Sequence, residues 1–578
     1  MSSTASTLSA PIYGGLPRVS TPGVLFVGVG LVLLYLIVPP FLILLQTSFW
    51  VATGANQGYV GTDNYNSIAS SPDLAVLLSN SLIFGLGSSV LGLFFGSLLA
   101  WLVERTNTPL KSVAYVSAFV ALAVPGIIKA IGWVFLLGPR NGLFNVWIME
   151  LFHLESAPFN IYSLQGMILV EGLLWAPAVF LLMAVPFRSM DPSLEEAATA
   201  SGASTLQTFR RVTFPLATPA VLSVLLLTFV RSIESFEIPA IVGIPGRVFV
   251  LTSEIYLKIR SGMFPNYGLA SAYAVILIAL VSVGIYYYSR ATQEAQKFYT
   301  VTGKGFRPRL LDLGRMRFGG AGCVLLLPSL IAMPFAVLMW ASVQPFYSRP
   351  SLDGLSKLTL KNYGGAFANT NVQHSLTNSL VIGLFTATLA VLLTAVIAWL
   401  LVRSKIPGRS GLDYLVSLTL VFPGVVLGVA MLRTYLTLDF IPIYGTIWLL
   451  VVGYVTRFVP YAMRYTLPGL IQIHQELEES AQISGANWLT VFRKILIPLM
   501  MPALFGAWIW VFLISVRELS MAVLLAGPKS QVVSSTIFSL WNDGQFTEMA
   551  AFSVVITSVF VVVALGLRRV SQRFGLQV

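Results

Sequence analysis

The sequence predicts an all-α membrane protein of about twelve transmembrane helices, arranged as two six-helix halves that run in the same sense. Three observations carry this. Of the 578 residues, 56% are apolar and only 10% charged, with a mean hydropathy of +0.82; no water-soluble domain has that composition. The stretch Leu194–Ala220 (LEEAATASGASTLQTFRRVTFPLATPA) returns 283 positions later as Leu477–Ala503 (LEESAQISGANWLTVFRKILIPLMMPA), and an internal repeat governs everything else. Finally, the apolar runs form two sets of about six. An even number per half gives both halves one orientation, related by a pseudo-two-fold axis along the membrane normal.

Taken in order, residues 1–23 are rich in Ser, Thr, Pro and Gly and read as a disordered tail. The run Val24–Leu45 is too long for a signal-peptide core and has no small-residue cleavage site after it, so it reads as a span. Further spans are expected at about 79–103, 113–137, 166–187, 218–243 and 268–288, completing a first half over 24–290. A basic, proline-containing linker, 291–320, leads to a second half over 321–570, with spans at about 321–343, 377–402, 412–437, 445–466, 502–526 and 549–567. Early landmarks repeat at a spacing of 298: Asn80-Ser81-Leu82 with Asn378-Ser379-Leu380, Trp101 with Trp399, Arg105 with Arg403, and Pro125-Gly126 with Pro423-Gly424. The drop from 298 to 283 means that the first half carries extra residues between its third and fourth spans, most naturally around Gly138–Ser163.

Charge supports the layout. A net charge of +12 would suggest nucleic acid in a soluble chain, but here most Lys and Arg sit at span ends on one side. The loop Ser48–Ser79 on the other side has none. By the positive-inside rule both termini, the linker and both repeated loops are cytoplasmic, facing anionic lipid, and no nucleic-acid partner is expected. Cys323 is the single cysteine and the three histidines are scattered, so neither an internal disulfide nor a zinc-type site is expected.

Each repeated string reads as helix, turn, helix. Glu195 and Glu196 lie where a helix dipole favours acids, Gly202 permits a turn, and Pro215 and Pro219 suit the first turn of the next span. The loops span 188–217 and 471–500. Glu196-Ala197-Ala198 followed by Gly202, and Glu479-Ser480-Ala481 followed by Gly485, resemble the cytoplasmic "EAA" loop of ABC-importer permeases, with one alanine replaced by serine in the second copy. The resemblance covers nearly the whole chain and is nearest to the fused two-half ferric-iron (Fbp-type) permeases. It implies the type I importer permease fold, in a bacterial inner membrane. It also implies that Glu195, Glu196, Ala197, Ala198 and Gly202, with Glu478, Glu479, Ala481 and Gly485, couple to two copies of an ABC ATPase. A periplasmic binding protein would deliver the cargo.

No phosphate-binding Gly-x-x-x-x-Gly-Lys-Ser/Thr loop occurs in the sequence. The chain is therefore expected to be no enzyme and to bind no cofactor, with ATP and Mg²⁺ held by the partner subunits. Charges inside the apolar runs are a second signal, because each is costly in lipid unless paired or wet. Lys129, Arg231, Arg457 and Arg517 are accompanied by Glu171, Glu234, Glu237 and Glu518. Glu234 and Glu237, three apart, would share a helical face. Two readings stand: ion pairs that staple helices together, or a substrate pathway formed by Glu234, Glu237, Arg517 and Glu518. Carboxylates suit a hard cation such as ferric iron, although no metal ligand set is assigned. The same scaffold serves thiamine, polyamines and phosphonates. A different class, an ion-gradient-driven secondary transporter, would show broken helices around a midplane site and no duplicated docking loop.

Overall fold

The computed structural model describes residues 21–53, 57–191, 193–296, 310–438 and 440–573. Nearly all of the expected tail and the middle of the expected linker lie outside the described residues. Apart from a small antiparallel pairing of Trp50–Ala52 with Gly58–Val60, the regular structure is helical. Among the described residues nine helices are long and apolar enough to cross a membrane, and two sharply bent pairs raise the number to eleven. The remaining expected span is the helix Ile447–Ile471, which has 25 residues and is made less apolar by Arg457 and Arg464. The extra residues of the first half fall where expected and form the helix Leu143–Phe152.

The two bent pairs are the third spans of the halves. Lys111–Ala123 meets Gly126–Leu137 at 104°, and Ser410–Val421 meets Gly424–Thr437 at 105°. Proline explains both breaks. Pro125 and Pro423 lack the amide proton that would continue the ladder, and they force the preceding residue out of the helical region. Val124 and Phe422 are accordingly extended.

The fifth spans are shorter than the apolar runs suggested. The expected span 218–243 is a helix only to Ile233; the chain then turns at Glu234–Phe236 and ends in a π turn, Pro239–Gly243. Glu234 and Glu237 therefore do not share one helix face. Pro239 cannot donate to the Ser235 carbonyl, which instead accepts from Thr252 Oγ1 at 2.8 Å. In the second half the helix Ile497–Val516 stops at the matching place, and the expected 502–526 span resumes only as the short helix Ala522–Leu525. There the Glu518 carboxylate accepts from the Met521 and Ala522 amides at 2.9 and 3.3 Å, as an N-cap does.

The first helix of each half packs both on the last helix of its own half (Tyr267–Gln296 or Phe546–Arg573) and on the other half. Thr21–Ser48 lies against Gly424–Thr437 and Thr370–Arg403, while Arg317–Ser342 lies against Lys111–Ala123 and Gly126–Leu137. Tyr35 and Tyr435 share a hydroxyl hydrogen bond of 2.8 Å, and Phe41 meets Phe422 edge-on at 5.8 Å. Within the first half, Leu74–Arg105 and Leu164–Ser189 approach through small residues. A Cβ on Gly96 would lie 2.5 Å from Val179 Cβ and 2.8 Å from the Ala176 carbonyl oxygen. Gly96→Ile is expected to cost about 1–3 kcal/mol, measured as a lower melting temperature of the detergent-purified protein. An unchanged melting temperature would mean that the two helices are not held at this distance.

Candidate functional site

The repeated loops form the same structure twice. In the first, Ser193–Ala200 is followed by Gly202 at φ +81°, then by Thr205–Thr208 and a π turn, Phe209–Thr213, which runs into Phe214–Ile233. In the second, Glu476–Ile483 is followed by Gly485 at φ +85°, then by Trp488–Val491 and a π turn, Phe492–Leu496. Both first helices close with a Schellman motif. Ala203 N donates to Ala198 O and Gly202 N to Thr199 O, each at 3.0 Å; Ala486 N donates to Ala481 O at 3.0 Å and Gly485 N to Gln482 O at 2.9 Å. Glycine is favoured at Gly202 and Gly485 by the left-handed backbone alone and not by crowding, since nothing lies within 4 Å of the place a Cβ would take. At the start of the first loop, the Ser193 amide donates to Asp191 and holds its carboxyl below the usual carboxylate range.

The paired acids divide between two environments. Glu195 and Glu478 are turned inward and buried, while Glu196 and Glu479 are exposed. Glu195 accepts from Arg105 Nε at 3.1 Å and from Thr213 Oγ1 at 2.5 Å, and Arg105 also donates to the Met190 carbonyl at 3.2 Å. Glu478 accepts from Arg403 Nε at 2.6 Å and from Trp399 Nε1 at 3.3 Å. Each loop is thus stapled to the end of its half's second span by a buried Arg–Glu pair. Sequence reasoning recorded Arg105 and Arg403 as a repeat without assigning them these partners. The signal was present, since both the arginines and the glutamates were duplicated. On the outward side Ala197 is exposed and Ala198 and Ala481 are half-buried. Leu206 is 74% and Ile483 88% exposed, so each loop presents an uncovered apolar side chain.

The intramembrane charges converge where the halves meet. Arg231 Nη1 pairs with Glu234 Oε2 at 2.8 Å and lies 5.3 Å from the Tyr461 ring of the second half. Arg457 pairs with Glu518. Arg517 crosses to the first half and donates to the Leu122 carbonyl, while Lys129 Nζ donates to the Ala121 carbonyl at 2.9 Å. These two carbonyls belong to the broken end of Lys111–Ala123, so the charges cap a helix terminus within the membrane-spanning region. Glu237 packs over Gly126, at the opposite end of that break. Glu171 is buried and accepts from Trp175 Nε1 at 3.0 Å and Ser235 Oγ at 3.1 Å. Among the described residues no group of three or more His, Cys, Asp or Glu side chains is placed to hold a metal ion.

Removal of an inward acid and removal of an outward one should differ sharply. Glu195→Ala leaves Arg105 buried without its partner and is expected to cost about 3–5 kcal/mol, seen as loss of folded yield or melting temperature. Glu196→Ala should change stability by no more than about 0.5 kcal/mol. Equal effects of the two substitutions would contradict the staple.

The family described as "Binding-protein-dependent transport system inner membrane component" matches residues 92–292 and again 379–574. A ferric transport system permease protein of Actinobacillus pleuropneumoniae is 26% identical over 85% of this chain and 70% of its own length. A putative ferric transport system permease protein of Haemophilus influenzae is 26% identical over 79% of this chain and 71% of its own. A spermidine/putrescine transport system permease protein of the same organism is 26% identical over 36% of this chain and 79% of its own. With two matched regions that together cover more than half of its length, the chain belongs to the inner membrane components of binding-protein-dependent transport systems, as a two-domain ABC-importer permease.

Proposed function

We propose that this permease imports ferric iron, that its two repeated loops each receive one copy of an ABC ATPase, and that both loops and both termini face the cytoplasm. The observation that carries the mechanism is the duplication of one rigid device. Each loop is locked from behind by a buried Arg–Glu pair and presents an exposed acid and an exposed apolar residue in front. Such a surface suits a protein groove that covers the apolar side chain and moves the loop as a body. ATP and Mg²⁺ would be held on the ATPase copies, and a periplasmic binding protein would deliver the cargo at the opposite face. The one-sided distribution of Lys and Arg supports the orientation.

The ferric reading is supported by the two ferric permeases to which most of the chain is similar. Thiamine, a polyamine or a phosphonate remains the alternative cargo on the same scaffold. Within the charge cluster, Glu234 and Glu518 serve their arginines, whereas Glu237 and Arg517 are the half-buried pair that would border a pathway between the halves. Broken spans also suit a gradient-driven carrier, but the duplicated loop gives this chain a means of receiving work from an ATPase.

The test is ATPase activity in proteoliposomes containing the permease and its ATPase, with binding protein loaded in turn with ferric iron, thiamine, a polyamine or a phosphonate. Stimulation by the iron-loaded protein alone is expected; stimulation only by another ligand would remove iron and keep the importer. Replacing Glu196 and Glu479 together by Gln should abolish uptake while leaving the amount of permease in the membrane unchanged. Normal uptake by that double variant would remove the coupling assignment. Ile483→Asp should weaken co-purification of the ATPase, because it places a charge where an apolar residue is to be covered.

A further inference from the structure

The charge cluster is balanced in number but not in burial. In both ion pairs the carboxylate is the more deeply buried member: the Arg231 side chain is 20% exposed against 4% for Glu234, and Arg457 is 17% exposed against 5% for Glu518. Arg517 is half-buried as well, and Glu237 is the one half-buried acid of this group. Two of the arginines reach across the divide. Arg231 lies over Tyr461 and Arg517 reaches Leu122, while Arg457 stays with its own half, against Glu518 and Gly424. Charged side chains within spans turn to the bundle interior or to a water-filled path. The less buried charges of this cluster are therefore three arginines and one carboxylate.

That surface repels a bare trivalent cation. Guanidinium groups present planar arrays of N–H donors that fit carboxylate and phosphate oxygens in pairs. Resting on the ferric reading proposed above, we infer that the permease passes iron as an anionic complex, with the metal still wrapped in carboxylate, carbonate or phosphate oxygens, and that Arg231, Arg457 and Arg517 are its specificity-determining contacts. Glu234 and Glu518 then position the arginines and do not ligate metal. This agrees with the lack of a three-ligand metal group among the described residues. Nothing is oxidised or reduced in the passage, and the iron exchanges no ligand with the chain.

The experiment is double-label uptake in proteoliposomes containing the complete transporter. Its binding protein is loaded with ⁵⁵Fe(III) in the presence of ¹⁴C-citrate, ¹⁴C-carbonate or ³³P-phosphate in turn. ATP-dependent accumulation of ⁵⁵Fe with one of these anions in a fixed ratio is the expected result. Accumulation of ⁵⁵Fe while every anion stays outside would overturn the inference and leave iron import standing. If no ⁵⁵Fe enters while another ligand is taken up, the ferric reading itself fails and the inference with it. The double variant Arg231→Gln, Glu234→Gln removes a pathway-facing cation without stranding its buried partner. It should raise the concentration of loaded binding protein needed for half-maximal uptake roughly tenfold. Arg231→Lys, which keeps the charge, should lie much closer to the parent. Unchanged or faster uptake by the double variant, at normal folded yield, would overturn the assignment of Arg231.

Discussion

Backbone amides and carbonyls inside a bilayer have no water to bond, so a helix that breaks there must find partners within the protein. This chain breaks four of its spans, at Pro125-Gly126, at Pro423-Gly424, after Ile233 and after Val516. Much of the polar chemistry in its interior serves those breaks. Lys129 and Arg517 meet the Ala121 and Leu122 carbonyls, Thr252 meets the Ser235 carbonyl, and Glu518 meets the Met521 and Ala522 amides. The need to cap broken helices brings ionisable groups to the meeting place of the halves, which is where the proposed pathway would run. Staple and pathway are therefore not competing descriptions of one cluster. The buried member of each ion pair does the first, and its exposed member is available for the second.

The two ends of the membrane domain use charge differently. At the loops, Arg105 with Glu195 is sealed and Arg403 with Glu478 is largely buried, and each pair fixes a short helix to a long one. Removing either partner leaves a charge without its mate, whereas the neighbouring Glu196 and Glu479 are exposed. Adjacent glutamates in one string thus sit in unlike surroundings, and helical geometry separates them, because consecutive residues are turned about 100° apart.

Much of this was legible in the chain itself. Hydropathy located the spans, and the repeat gave the two halves, the paired loops and the position of the extra residues that form Leu143–Phe152. The fifth spans were read too long, since an apolar run cannot reveal where a helix gives way to a turn that is itself buried. Pro239 was visible, but the matching break after Val516 has no proline and rests on Glu518 capping the next amides. The pairing of Arg105 with Glu195 was hidden for another reason. The two residues are ninety positions apart, and without a local pattern only the fold brings them together. Exposure was equally out of reach: the sequence names four acids and four bases within the spans, but not which end of each pair is the more exposed.

The exchange of first helices has a consequence for biogenesis. Thr21–Ser48 packs on Tyr267–Gln296 of its own half, yet its other partners Thr370–Arg403 and Gly424–Thr437 are made several hundred residues after it. Until then the part of its inward face that they cover, including the Tyr35 hydroxyl that will meet Tyr435, lacks its partners. The first half cannot complete its own packing ahead of the second, and Arg317–Ser342 in turn covers the first half's bent span. A chain stopped between the halves would leave two incomplete surfaces rather than one finished domain. Quality control can then judge both halves at a single moment, when the last spans arrive and the two clasps close together.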